Sequence, residues 1–448
     1  MIRETLVRLG DRWSGFTPTA VLSSLEKTQY WPQERLEALQ VDHLRRLLRH
    51  AGATISYYRD LFHSIGFKPD AVRSLKDMQC LPILDKVTIS SQADRFISSA
   101  AIHPLCWLRT SGSTGQPFRF VRTRLAQSYK IASRLRFRRW YGVERCDPGL
   151  LVGGIAPVAS DWKAQWMSRL HYFATNRVSV HSSDLHGNGL EAAARLIDQY
   201  QVKYIMGYPT GICALADYLV GSGRKLSHYP QAIFTNSETL FNETRGGIRT
   251  AFGIEPRADY VATEGCIAHE CPEGSLHVDM EEALVELVPG EPGSDLSEVV
   301  ITYLHSFDFP FIRYRLGDIA RWFAKPCPCG RGLVTIDAVI GRSTDAIQMP
   351  DGRRFTAANI NMRIAHFPFI ENVRQYQIVQ IDRGCLELRL LDTPETGNDT
   401  AQLFAAALSK LLRPLEVTVV KMPELPREKN GKFRPVVGLP TKGETTRQ

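Results

Sequence analysis

A chain of 448 residues with 44% hydrophobic and 23% charged residues can bury a large core and has room for two or more globular domains. Its net charge of +8 would suit nucleic acid, but the Lys and Arg are dispersed. No clustered basic stripe interleaved with aromatics is present, so a nucleic-acid binder is excluded; an anionic ligand or membrane surface fits the balance as well. The short cluster Arg134, Arg136, Arg138 and Arg139 is expected to form a solvated face. No run approaches ~20 apolar residues, which excludes a membrane span. The N-terminus, MIRETLVRLGDRW, has no uninterrupted apolar segment of the secretory kind. Nine cysteines, odd in number and scattered, are not a disulfide framework, and a cytoplasmic location is expected.

In residues 34–52, Leu36, Leu39, Val41, Leu44, Leu47 and Leu48 recur near a 3.6-residue period and a glycine follows, which predicts an amphipathic helix. Ser74 can cap a short helix, and Pro82 ends it before an expected turn at Asp85-Lys86. Residues 1–100 thus read as a helical layer over a sheet. Residues 124–139 are helix-like, and LLVGGIA (150–156) is a short apolar run bounded by glycines, as a buried parallel strand would be. RVSVHSSD, VKYIMGYPT, QAIFTNSETL and PRADYVATEG repeat the strand-then-loop form, with helical stretches between them. This alternation predicts an α/β fold with a mostly parallel sheet, whose ligands bind at the carboxyl ends of the strands. From residue 276 the texture becomes β-rich (LHVDMEEALVELV, SEVVITYL, FPFIRYRLGDIARWF), and 346–437 reads as a compact α+β unit with a helix at 399–413. The expected organisation is a large domain, 1–341, a small lid domain, 342–440, and a disordered tail, 441–448. Trp140, Trp162 and Trp166 are expected in the core; His171, His181, His186 and Cys213 carry no signal.

Residues 108–120, LRTSGSTGQPFRF, alternate hydroxyls with glycines. Such a loop lets backbone N–H groups converge on one point while Ser111, Ser113 and Thr114 add donors, a nest for polyphosphate. It is not a Walker A loop, because GxxxxGK[ST] is absent and Gln116 stands where Lys is frequent.

TSGSTGQP, YVATEG, YRLGD, GRSTD and LPREKNGK follow one another in the order seen in the adenylate-forming (acyl/aryl-CoA ligase) superfamily, which most of the chain resembles. The RRLLRHA helix, YYRDLF, SLKDMQCLPIL before Lys86, LHVD and CPCGR are most similar to its phenylacetate-CoA ligase branch and capsule-biosynthesis CapK-like relatives. The resemblance implies an acid-thiol ligase that uses ATP, Mg²⁺ and CoA on an aryl or related carboxylic acid. It implies that Thr110, Ser111, Gly112, Ser113, Thr114 and Gly115 grip the β- and γ-phosphates, and that Glu264 beside Thr263 holds Mg²⁺. Tyr260 would lie against adenine, and Ser237 and Glu238 would occupy the adenine-edge loop. Asp318 would accept both ribose hydroxyls, and Arg342 would support the ribose or phosphate. Asp345 would be the hinge, and Lys432 would neutralise charge during acyl transfer to AMP. Thr114, Glu264 and Lys432 are the candidate catalytic residues. Pocket walls are expected from 208–211 and 235–237. A homodimer is common among relatives. Val261, where the family has Gly, and Gln116 are departures that bear on adenine and substrate geometry.

Cys271, His277, Cys327 and Cys329 form a second constellation: a thiol pair from a tight turn plus a Cys/His pair supply the four ligands of a tetrahedral zinc site. Some relatives carry a structural zinc at such a place. His269 and Cys266 are alternative ligands. Two other functions stay open: transfer of the acyl group to an amine or sugar, and a catalytically silent nucleotide binder, against which Glu264, Asp318 and Lys432 argue.

Overall fold

The computed structural model describes residues 2–102, 105–109, 119–153, 169–181, 184–185, 187–289, 297–322, 326–337, 339, 341–342, 346–350, 354–364, 367, 369–393, 396–428 and 433–439. The N-terminal hundred residues are helical. In the Gln33–Thr54 helix, Leu36, Val41, Leu44, Leu47, Leu48 and Ala51 form one buried stripe, as the periodicity requires. The next helix, Ser56–Ile65, stops at Gly66, whose left-handed backbone (φ +64°) suits glycine. Asp85-Lys86 is not the expected turn. The Asp85 carboxylate accepts the Thr88 N–H at 2.7 Å and so caps a helix, Lys86–Ser91.

The strand–helix repeats build most of an eight-stranded sheet. Its spatial order is Thr335–Ile336, Leu276–Val278, Cys266–Glu270, Arg257–Val261, Ala232–Thr235, Tyr204–Gly207, Gly149–Gly153, Arg177–His181. The strands from Arg257–Val261 to Arg177–His181 run parallel, and the other three are antiparallel. Helices Asn188–Tyr200, Pro209–Ser222 and Asn242–Phe252 make the crossovers that parallel pairing demands. Gly207 is required by close approach: a Cβ there would lie 1.6 Å from the Val152 carbonyl oxygen. The Cys266–Glu270 strand is a feature the sequence reading missed, because YVATEG turns straight back into a fully buried antiparallel partner.

Ala283–Pro289, Ser297–Tyr303, Tyr314–Ala320 and Gly341–Arg342 form a separate antiparallel sheet; only its third strand comes from FPFIRYRLGDIARWF. The C-terminal residues close their own core of Ile378, Leu386, Leu388, Leu390, Phe404, Leu408 and Val436. There a four-stranded sheet (Glu416–Met422, Cys385–Leu391, Tyr376–Gln380, Val436–Val437) packs with helix Asn398–Leu411. Among the described residues no helix is long and apolar enough to cross a membrane.

The expected solvated face at Arg134–Arg139 is wrong for Arg136 and Arg138, which are buried, and for Arg134, which is largely so. Helix Arg124–Arg139 is packed between helix Pro18–Thr28 and the Cys266–Glu270 strand, so its cations need buried anions. Arg134 meets Asp259 at 2.7 Å, and Arg136 meets Asp279 at 2.6 Å and Glu281 at 2.8 Å. Between them His269 lies with Nδ1 3.0 Å from Asp259 and Nε2 2.9 Å from Asp279, its ring stacked on Phe137. Burial alone would lower the His269 pKa, but the two flanking carboxylates outweigh it and hold the ring well above the ordinary histidine range. Replacing Arg136 by Met would leave Glu281 without its cation in a dry interior and Asp279 with His269 alone. We expect the R136M variant to lose about 3–5 kcal/mol in urea denaturation, against near-neutral loss for the exposed Arg8→Met.

Candidate functional site

The carboxyl end of strand Arg257–Val261 carries the acidic turn. Tyr260, at that end, donates its hydroxyl to Asp318 Oδ2 at 2.7 Å. Asp318 belongs to the other sheet, on strand Tyr314–Ala320, and its backbone sits opposite Arg342. Two sheets are therefore joined at one phenol and one carboxylate, and both Asp318 and Glu264 are buried. The turn itself is gripped from below. Lys130, on helix Arg124–Arg139, donates to the carbonyls of Ala262 at 2.7 Å and Thr263 at 3.0 Å, the two residues before Glu264. Burial, then the nearby Arg122 charge, brings the Lys130 pKa down to about 8. Glu282 accepts the Cys266 N–H at 3.0 Å just beyond the turn, and burial raises its pKa to about 7.

Ser237 has a left-handed backbone, φ +68°, in the loop after strand Ala232–Thr235, a conformation that costs energy for a residue with a Cβ. Glu238, placed at the adenine edge by the resemblance, has its carboxylate on other partners: Thr210 Oγ1 donates to Oε2 at 2.8 Å, and the Phe433 N–H donates to Oε1 at 2.8 Å. Burial raises its pKa against the pull of these donors.

Of the other expected site residues, Thr110, Ser111, Gly112, Ser113, Thr114, Gly115, Asp345 and Lys432 lie outside the described residues, as does Gln116. The flanks of 110–118 are described. Trp107–Arg109 pairs antiparallel with Arg119–Val121, with Arg109 opposite Arg119, so the two ends of the loop are neighbours. Arg119, the first residue after it, stacks its guanidinium over Trp107 at 5.0 Å.

Cys271, His277, Cys327 and Cys329 come together from three segments, with one donor atom of each within 4.8 Å of the others. Cys271 and Cys327 sulfurs are 3.5 Å apart, and Cys329 Sγ is 3.2 Å from His277 Nε2. His277 Nδ1 is 3.0 Å from the Leu333 carbonyl, which fixes the tautomer with the proton on Nδ1 and leaves Nε2 as a lone-pair donor. Burial lowers its pKa to about 4 and keeps it neutral. Left-handed Gly274 and Gly330 shape the two thiol turns. Cys266 and His269, the alternative ligands, sit elsewhere with Asp279, and there His269 is already occupied by two carboxylates and flanked by arginines. Trp140, expected in the core, packs partly buried against the core cluster around Phe137 and also borders this group: its ring meets His277 edge-on, and Arg331 lies over it at 4.0 Å.

Lys130, Asp259, Asp279 and Glu282 escaped the sequence reading. The available signal was VDMEEA, three acids inside an otherwise apolar strand region; such acids are either bulged into solvent or paired inside.

No protein-family model matches the chain. Staphylococcus aureus Protein CapK is 28% identical over 307 residues, covering 67% of this chain and 66% of CapK. Phenylacetate-coenzyme A ligase of Thermus thermophilus is 23% identical over 460 aligned positions, 91% of this chain and 97% of that protein. Among solved structures, 2-hydroxyisobutyryl-CoA ligase in its postadenylation state with an acyl-AMP has a TM-score of 0.71, with 16% identity, 92% of this chain and 91% of that one covered. At that identity the likeness is one of fold, an α/β large domain with its small C-terminal unit. With this fold, and with sequence similarity to one relative running through nine-tenths of its length, the chain is similar to CapK and the phenylacetate-CoA ligases.

Proposed function

We propose that the chain is an ATP-dependent, AMP-forming carboxylate–CoA ligase. The observation that carries this reading is the Tyr260–Asp318 contact at 2.7 Å beside the Lys130-held acidic turn, at the carboxyl end of the sheet's parallel strands. An ionised, acceptor-only carboxylate already oriented by a phenol suits a vicinal diol, the ribose of ATP. In this reading, 110–115 hold the β- and γ-phosphates, Ser237 and Glu238 border the adenine, and Tyr260 lies along it. Arg342, in register with Asp318, supports ribose or phosphate. Glu264 and Thr263 supply hard oxygen donors where Mg²⁺ would neutralise triphosphate charge. Lys432 draws the acid's carboxylate and the α-phosphate together.

The chemistry needs this convergence of charge. A carboxylate oxygen attacks the α-phosphorus, the bond to the bridging oxygen breaks, and pyrophosphate leaves with the electron pair. The thiol sulfur of CoA then attacks the acyl carbon, losing its proton, and AMP departs. Residues 342–440 act as a small domain that pivots near Asp345 between the steps, a gating motion. The acid is of the aryl class in this reading, and its chamber is walled by 208–211 and 235–237. A protein consuming ATP and CoA belongs in the cytoplasm.

The direct test is acid-dependent pyrophosphate release with MgATP over aryl and aliphatic acids, with and without CoA. We expect release to require an acid, to fall about a hundredfold or more in Lys432→Ala, and to yield a thioester when CoA is present. Adenylate without thioester would assign a different acceptor, and no release with any acid would leave only nucleotide binding.

The Cys271, His277, Cys327 and Cys329 group fits Zn²⁺ in donor type, number and oriented histidine, and a closed set of four protein ligands makes the metal structural. Metal analysis of the purified protein should find about one zinc per chain. The Cys329→Ser variant should lose it and unfold at lower temperature, while retaining ATP binding in whatever fraction stays folded.

A further inference from the structure

Helix Pro209–Ser222 presents Thr210, Cys213 and Asp217 along one face, three and four residues apart. That face meets the small domain. Arg374 reaches Asp217 with two nitrogens, Nε to Oδ2 at 2.8 Å and Nη2 to Oδ1, a bidentate pair. Arg427 Nη1 donates to Thr210 Oγ1 at 2.5 Å, and Thr210 Oγ1 in turn donates a hydrogen bond to Glu238 Oε2 at 2.8 Å. The other oxygen of Glu238 accepts the Phe433 N–H. This N–H belongs to the peptide bond joining Phe433 to Lys432, and Glu238 directly follows Ser237 in the expected adenine-edge loop. One carboxylate of the nucleotide loop is therefore tied to the main chain beside the expected catalytic lysine.

We propose that this face is a latch: the Asp217–Arg374 pair, with Thr210, Arg427 and Glu238, docks the small domain in its adenylating position and must release before the thiol can attack. The proposal rests on the ligase reading above and names the residues that set its domain position. Asp217 and Arg374 are positioning residues that act through the placement of 432–433 and touch no substrate. Their bidentate geometry makes release a discrete event: once the small domain turns, both charge-assisted bonds go together.

Cys213, beside Asp217 under the docked domain, reports the latch without any substrate. Burial raises its pKa to about 11, and Arg374 pulls it down. Arg374→Asp removes a nearby positive charge, so local electrostatics predicts slower alkylation by iodoacetamide, whereas an opened latch predicts faster alkylation. We expect about tenfold faster modification of Cys213 in Arg374→Asp, read by peptide mass spectrometry, and protection near wild type in Arg374→Lys. We also expect Arg374→Asp to slow pyrophosphate release about tenfold, while thioester formation from a chemically prepared acyl-adenylate and CoA stays within about twofold of wild type. The adenylate is that of whichever acid the wild type activates. Unchanged or slower alkylation of Cys213 in Arg374→Asp overturns the latch, as does equal slowing of both half-reactions. Should the wild type release no pyrophosphate with any acid, the ligase reading fails and the alkylation rates alone decide the latch.

Discussion

Helix Arg124–Arg139 carries its charges into the interior, and the rest of the large domain is arranged to receive them. Lys130 holds the acidic turn by two carbonyls, Arg134 fixes Asp259 one residue before Tyr260, and Arg136 anchors Asp279 and Glu281. A buried cation tolerates little displacement, because losing its partner exposes an uncompensated charge to a medium of low polarity. The hairpin that bears Tyr260 and Glu264 is consequently registered on a helix that starts just after the Ser/Thr/Gly-rich stretch. Two segments far apart in sequence, the acidic turn and the start of this helix, share one rigid support.

The same logic of charge in a restricted place recurs at the domain boundary on a weaker scale. Where the interior pairs are dry, Asp217 and Arg374 are about a quarter to a third exposed (27% and 34%), so their pairing is partly screened and can open. The Cys/His group offers a third solution, bringing three chain segments together at one point through soft donors.

Much of this was legible in advance, for reasons that particular residues make plain. Buried parallel strands such as Tyr204–Gly207 show in sequence as short apolar runs, and helix Arg124–Arg139 matched its expected ends. The four zinc-type ligands could be grouped by residue type and local spacing, and they meet in space. What sequence withheld depends on distant partners. Arg136 looks solvated because short clusters of cations on a helix usually form a solvated face, and its anions lie 143 and 145 residues away. The Cys266–Glu270 strand was hidden because Cys, Ala, His and Glu carry little β-propensity; its pairing with Arg257–Val261 makes it a strand. Glu238 could be placed on the right loop, but its bond to the Phe433 N–H is a fact of how two domains meet.

The two-stranded ribbon at the mouth of the Ser/Thr/Gly loop separates reach from content. Arg109 faces Arg119 across it, so the intervening residues leave from and return to nearly the same place whatever their identity. Sequence change within that interval is therefore held apart from the pairing of its flanks. The pairing that holds its ends is separate from the contact that aligns Tyr260 with Asp318.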